Sequence, residues 1–162
     1  IDTLLEALKK LPDHAHLRIV GDGSQRQNLE MHANMLQLGS RVTFVGFVPV
    51  PDVYEEFAQA EVFCGLSRRE ALGNVFLEAQ AAGCAVVGTH IDGIPDIVID
   101  GKTGTLIEPD NPDAAAEAIQ SFFESQEMRE QYGAAGKENA LQYDWSNIAK
   151  RYAAVYEDAL TL

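Results

Sequence analysis

The five residues Cys84-Ala85-Val86-Val87-Gly88 constrain the fold of this chain more than any other stretch. A strand with one face in water carries polar side chains at every second position, and none is found here. Such a strand is buried on both sides, as happens inside a parallel sheet covered by helices.

The rest of the chain supplies partners and covers for it. Short apolar runs at Leu17-Arg18-Ile19-Val20, residues 41–45, residues 60–66 and Thr105-Leu106-Ile107 read as further strands. Between them the periodicity is helical. Residues 1–11 place Leu4, Leu5, Leu8 and Leu11 on one face and stop at Pro12-Asp13. A second helix is expected to be capped by Ser24 and to end at Gly39, with Leu29, Met31, Ala33, Met35 and Leu36 at core and near-core positions. A short helix is expected over 51–58, a longer one from Gly73 to its stop at Gly83, and another short one after the loop of residues 89–96. Residues 100–104 form a tight turn; helices then follow over 114–123, 127–141 and 146–160, with Trp145 expected as a core anchor at the last joint. Strands alternating with helices imply right-handed crossovers, hence an α/β fold: a Rossmann-like, doubly wound parallel sheet with helices on both faces. At 162 residues the expectation is a single domain spanning 1–162 with one core.

The bulk numbers exclude several classes. A net charge of −13 with only 12 scattered Lys and Arg argues against a nucleic-acid surface, which needs clustered cations. No apolar run approaches the length of a transmembrane segment, and no signal-peptide pattern is present. Cys64 and Cys84 lie in or beside strand-like runs without metal-ligand spacing, so they read as buried thiols in a reducing compartment, and the chain as cytoplasmic. There is no His/Cys cluster for zinc. His14, His16 and His32 read as loop or surface residues, while His90 follows a strand and could touch a ligand. The chain enters helical periodicity at Ile1, as a piece of a longer polypeptide would.

An open parallel sheet binds ligands beyond the C-terminal ends of its strands. Those ends are Gly21-Asp22-Gly23, Gly46-Phe47-Val48, residues 66–73 and residues 89–93, and they hold most of the glycines that close backbone approach requires. The stretch of residues 67–79 is the richest. There a strand, a tight loop and a helix meet, with Gly73 and Asn74 at the helix start. Unpaired amides and the helix dipole favour an anion at such a start, by roughly 0.3–1 kcal/mol for an exposed charge. Glu70 in the loop and Glu78 one turn into the helix can face the same crevice. A phosphate on the amides with hydroxyl-accepting carboxylates beside it is the chemistry of a nucleotide-sugar site. The same residues also fit a solvated loop followed by a surface glutamate. No G-x-G-x-x-G or G-x-x-x-x-G-K-[ST] occurs, and Gly21-Asp22-Gly23 alone is no dinucleotide fingerprint.

Taken together, Val20 to Gly23, Val45 to Val48, the run from Ser67 through Glu78 to Val87, residues 92–98 and Gly101-Lys102-Thr103-Gly104 resemble the C-terminal, donor-binding domain of family-four retaining glycosyltransferases of GT-B architecture. The resemblance covers almost the whole chain. It implies that Glu70 lies at the transferred sugar and that Glu78 holds the ribose hydroxyls. It implies further that Gly73, Asn74 and Val75 give amides to the donor diphosphate, that Phe47 and Val48 border the nucleobase, and that Gly21 and Gly23 let the chain pass close to the nucleotide. Asp92 and Gly93 would sit near the sugar end.

By the same resemblance, the partners are a nucleotide-diphosphate sugar as donor and an N-terminal acceptor domain of the same polypeptide, with no nucleic acid, no transmembrane segment, no metal and no cofactor. The family carries an Arg and a Lys on the diphosphate from a strand and turn ahead of the first helix, and this chain begins after them. That strand is central to the sheet in the usual order. Cys84, Ala85 and Asp92 depart from the common family residues. Arg68 and Arg69 could add charge at the phosphates or form salt bridges. Other readings of the same fold are a non-catalytic nucleotide- or sugar-binding module and a nucleotide-sugar epimerase.

Overall fold

The strand β4 (Ala85–Thr89) is buried at every position. It pairs in parallel with β3 (Val62–Gly65), where Val62 stands opposite Ala85, and with β5 (Thr105–Ile107), where Val87 stands opposite Thr105. A second parallel pair, β1 (Leu17–Val20) and β2 (Val42–Gly46), forms a separate two-stranded sheet. The computed structural model describes residues 1–160.

Helices connect successive strands throughout. α1 (Asp2–Leu8) leads into β1, α2 (Arg26–Met35) joins β1 to β2, α3 (Val53–Gln59) joins β2 to β3, α4 (Asn74–Ala82) joins β3 to β4, and α5 (Ile94–Ile97) joins β4 to β5. α6 (Pro112–Glu124), α7 (Gln126–Leu141) and α8 (Trp145–Leu160) follow.

The alternation of side chains along β4 divides the interior in two. Ala85 and Val87 point into a cluster with Leu4, Leu5, Leu8 and Leu11 from α1 and its following turn, and with Ile119 and Phe122 of α6. Val86 points the other way, among Phe76, Ala79, Ile94 and Ile97. The sheet therefore has helices on both faces, and the single core expected from chain length is two clusters separated by the strands. Phe76 and Phe122 are fully buried, each contributing roughly 1.5–3 kcal/mol of transfer free energy.

Among the described residues β1 pairs only with β2, and β3 only with β4. Their other edges line one apolar cleft of about 740 Å³, walled by Leu17, Ile19, Val62 and Cys64 and by Leu8 and Leu11. The break between the two sheets falls at this cleft.

Four local expectations are corrected. Trp145 is 83% exposed, and no residue of α8 is buried. The anchor at this joint is Tyr143, which packs against the second cluster and donates its hydroxyl to the Asp96 carbonyl at 2.8 Å. Met31 and Met35 are 51% and 74% exposed. They lie two positions after Leu29 and Ala33, on the opposite side of the helix from the residues that face the core. Ser24 does not cap α2, whose N-cap is Gln25, and the Gln25 side chain accepts from Asn28 Nδ2 at 2.8 Å instead of from a helix amide. Asp22 Oδ1 instead takes the Gly23 N–H at 2.7 Å and tightens the preceding turn. Gly39 does not end α2 either. Gln37 takes the left-handed conformation at φ 60°, and the Leu38 and Gln37 amides donate back to Ala33 and Asn34.

Candidate functional site

The start of α4 is open to a ligand. Its N-cap is Gly73 at φ 83°, no side chain caps the helix, and its first turn holds no acid. The Phe76 amide donates to the Gly73 carbonyl at 2.9 Å, while those of Asn74 and Val75 have no carbonyl within the helix to bond, and the dipole adds positive character there. Only glycine fits at the cap. A Cβ on Gly73 would lie 2.7 Å from the Phe76 ring and 3.2 Å from Glu70 Cγ, in addition to the positive φ. Asn74 and Val75, the next two residues, are exposed.

Glu70 sits half-buried immediately before this start, with its Cγ close over Gly73. Its backbone is held by the loop after β4: Asp92 Oδ2 accepts the Glu70 N–H at 3.1 Å, and the Gly93 N–H donates to the Glu70 carbonyl at 3.4 Å. A Cβ on Gly93 would stand 2.2 Å from the Ala71 carbonyl oxygen, so the two loops touch backbone to backbone. Thr89 Oγ1 adds a 2.6 Å bond to the Ser67 carbonyl. Glu70, Gly73, Asp92 and Gly93 thus form one assembly.

Val75 and Glu78 are exposed on α4. Both line the cleft between β1 and β3, together with Val20 and Phe63. Glu78 is exposed and makes no ion pair among the described residues. Gly21 and Gly23 lie exposed at the end of β1, where the Gly21 N–H donates to the Gly46 carbonyl at 2.8 Å. Phe47 is 78% exposed just after β2, and Val48 is half-buried. The candidate residues therefore fall into three groups: the β1 and β2 ends, the Glu70 assembly, and the α4 face on the cleft.

Charge at the loop is set by Arg68. Its guanidinium bridges Asp110 at 2.6 Å and Asp2 at 2.7 Å, and beside it the Asp2 carboxyl is lowered to about 2. Arg68 is accordingly committed to salt bridges. Arg69 is exposed and makes no ion pair among the described residues. Burial pushes the Cys64 thiol up to about 12 and raises that of Cys84, and both are free cysteines. Among the described residues no group of three or more His, Cys, Asp or Glu could hold a metal ion, and no helix is long and apolar enough to cross a membrane.

Two contributions had no sequence signal. Arg26 donates to the Phe44 carbonyl at 3.1 Å and to Asp22 at 3.2 Å, bracing the turn at Gly21 to Gly23. Asp92 braces Glu70 across 22 residues of chain. Helical or strand periodicity reports only which side of its own element a residue occupies, and both bonds join different elements.

The chain is similar to several known proteins. It is 33% identical over 162 residues to the phosphatidyl-myo-inositol mannosyltransferase of Mycobacterium tuberculosis, covering 97% of this chain and 42% of that one. It is 30% identical over 163 residues to the D-inositol 3-phosphate glycosyltransferase of Corynebacterium diphtheriae, covering 97% of this chain and 38% of that one. The chain therefore spans less than half the length of these relatives. Among solved structures it superposes with a TM-score of 0.89 on sucrose-phosphate synthase from Thermosynechococcus elongatus, at 28% identity, covering 99% of this chain and 42% of that chain. Anabaena HepE in complex with UDP also gives 0.89, at 25% identity, with 96% and 44% covered. The fold is that of the C-terminal half of GT-B enzymes. With residues 1–139 matching the family described as glycosyl transferases group 1, the chain belongs to that family.

Proposed function

We propose that this chain is the donor-binding domain of a glycosyltransferase that passes a hexosyl group from a nucleotide-diphosphate sugar, with retention, to an acceptor held by an N-terminal domain of the same polypeptide. The observation that carries this reading is the uncapped start of α4, with Glu70 packed over Gly73 and Glu78 one turn along the helix. HepE, a structural relative, is described in complexes with UDP and with UDP-glucose, and this supports a nucleotide-sugar ligand.

In this reading the amides of Gly73, Asn74 and Val75 receive the diphosphate, and Glu78 accepts the ribose hydroxyls. Phe47 and Val48 border the base beside Gly21 and Gly23. Glu70 orients the donor sugar, with Asp92 and Gly93 at the same end. Catalysis rests on positioning and on electrostatic stabilisation of the departing diphosphate, not on a protein nucleophile, metal or cofactor. The cleft between β1 and β3, with its two unpaired strand edges and apolar walls, fits the strand that the family carries ahead of α1. With the acceptor domain outside this chain, the isolated chain binds donor weakly and turns over nothing.

Calorimetric titration with UDP-glucose and GDP-mannose tests the assignment. Glu78→Ala is expected to weaken nucleotide binding about tenfold, the loss of a charge-assisted hydrogen bond. Unchanged affinity would remove Glu78 from the ribose.

A further inference from the structure

The residue that holds Glu70 adopts a conformation that glycine would adopt more easily. Asp92 has φ 44°, in the left-handed region that side chains disfavour. It is exposed, and among the described residues its side chain bonds the Glu70 amide. Glycine at this position would relieve the backbone and lose the bond. Aspartate does the opposite: it accepts local strain and contributes a charged acceptor to the loop that carries Glu70. Strain of this kind persists where surrounding structure uses it.

The bond has a particular geometry. Asp92 and Gly93 are consecutive, and together they satisfy the N–H and the carbonyl of the same residue, Glu70. Two bonds to one peptide backbone fix its orientation as well as its position. The Glu70 side chain then leaves the backbone over Gly73, at the open helix start. Gly93 cannot drift away without opening the contact with Ala71, which leaves no room for a side chain.

We propose that Asp92 is a positioning residue: it acts through the Glu70 backbone to hold the Glu70 carboxylate at the start of α4, and does not itself touch the donor. This rests on the reading of Glu70 as the residue facing the donor sugar. Asparagine at this position would retain both features, since it tolerates left-handed φ and its carbonyl oxygen accepts a hydrogen bond. Alanine would lose the bond and keep the strain, and glycine would lose the bond and relieve it.

The test compares Asp92→Asn, Asp92→Gly and Asp92→Ala in this chain by three readouts: thermal midpoint, amide exchange at Glu70, and affinity for UDP-glucose and GDP-mannose against UDP and GDP. Asp92→Gly is expected to keep or raise the midpoint while speeding Glu70 exchange about tenfold, the loss of one charge-assisted bond. It is expected to weaken the nucleotide sugar severalfold and leave the free nucleoside diphosphate unchanged. Asp92→Asn restores both values towards wild type. A merely structural role would move the midpoint and both affinities together, and that result overturns the proposal. So does an Asp92→Gly variant with unaltered Glu70 exchange, or with unaltered nucleotide-sugar affinity when wild type binds. If wild type binds neither nucleotide sugar, the donor reading of the site is what fails, and the positioning role falls with it.

Discussion

Gly73 concentrates three demands on one residue. It ends the loop after β3 at positive φ, caps α4 without a side chain, and lies under both Phe76 and Glu70. Gly73→Ala is expected to destabilise the chain by about 1–3 kcal/mol, from backbone strain and displacement of the Phe76 ring, read by urea denaturation. An unchanged midpoint would show that the loop can rearrange around a methyl group. That a glycine belongs here is legible in the sequence, because it stands between a strand and a helix. That Asp92 reaches Glu70 is not, because the two are brought together by the pairing of β3 with β4 and not by their spacing.

Among the elements, α4 and α7 are joined by a polar contact within the interior. Asn139 is buried, and its Nδ2 donates to Gln80 Oε1 and to the Ile97 carbonyl, both at 2.8 Å. Gln80, fully buried, also donates to Ile97 at 3.3 Å. Three elements, α4, α5 and α7, therefore share one network without an unsatisfied side-chain atom. Asn139→Ala leaves the Gln80 oxygen buried without its donor, and a loss of roughly 1–3 kcal/mol is expected in chemical denaturation. Helix boundaries were readable to within a few residues from apolar spacing and from Gly83, where α4 does stop at φ 90°. The direction in which a helix faces was less so. Met31 and Met35 are apolar yet point outward, because a helix packed along one side has room there for only part of its hydrophobic residues. Trp145 shows the same limit: its size suggests a core anchor, yet neither cluster includes it or any other residue of α8.

Across the whole molecule, Arg68 links three distant segments. It ties the loop after β3 to Asp2 at the start of α1 and to Asp110 before α6. In the folded chain the Asp2 carboxyl is lowered from 3.8 to about 2. The folded state thus binds this proton less readily than the unfolded state, and the stabilisation is fully present above about pH 4 and lost as pH falls through about 2. Because both partners are largely exposed, the contribution is modest and screened by salt. Arg68→Ala is expected to return the Asp2 titration midpoint, followed by NMR, to the usual carboxylate range; a midpoint still near 2 would assign the shift to another group.

Alternation of apolar runs with helical periodicity was enough to establish a parallel α/β fold, because burial on both faces of β4 leaves a chain of this size few other ways to cover it. Residue types at strand ends likewise marked the candidate site, since glycine turns and helix starts are local events. What the tertiary structure alone decided was which residues meet. It set Glu78 on the cleft, joined Glu70, Gly73, Asp92 and Gly93 in one assembly, and divided the strands into two sheets with facing edges unpaired among the described residues. Those outcomes depend on contacts between residues far apart in the chain. A sequence read in order carries the propensities of each segment, while the free energy of such contacts exists only once the segments have packed.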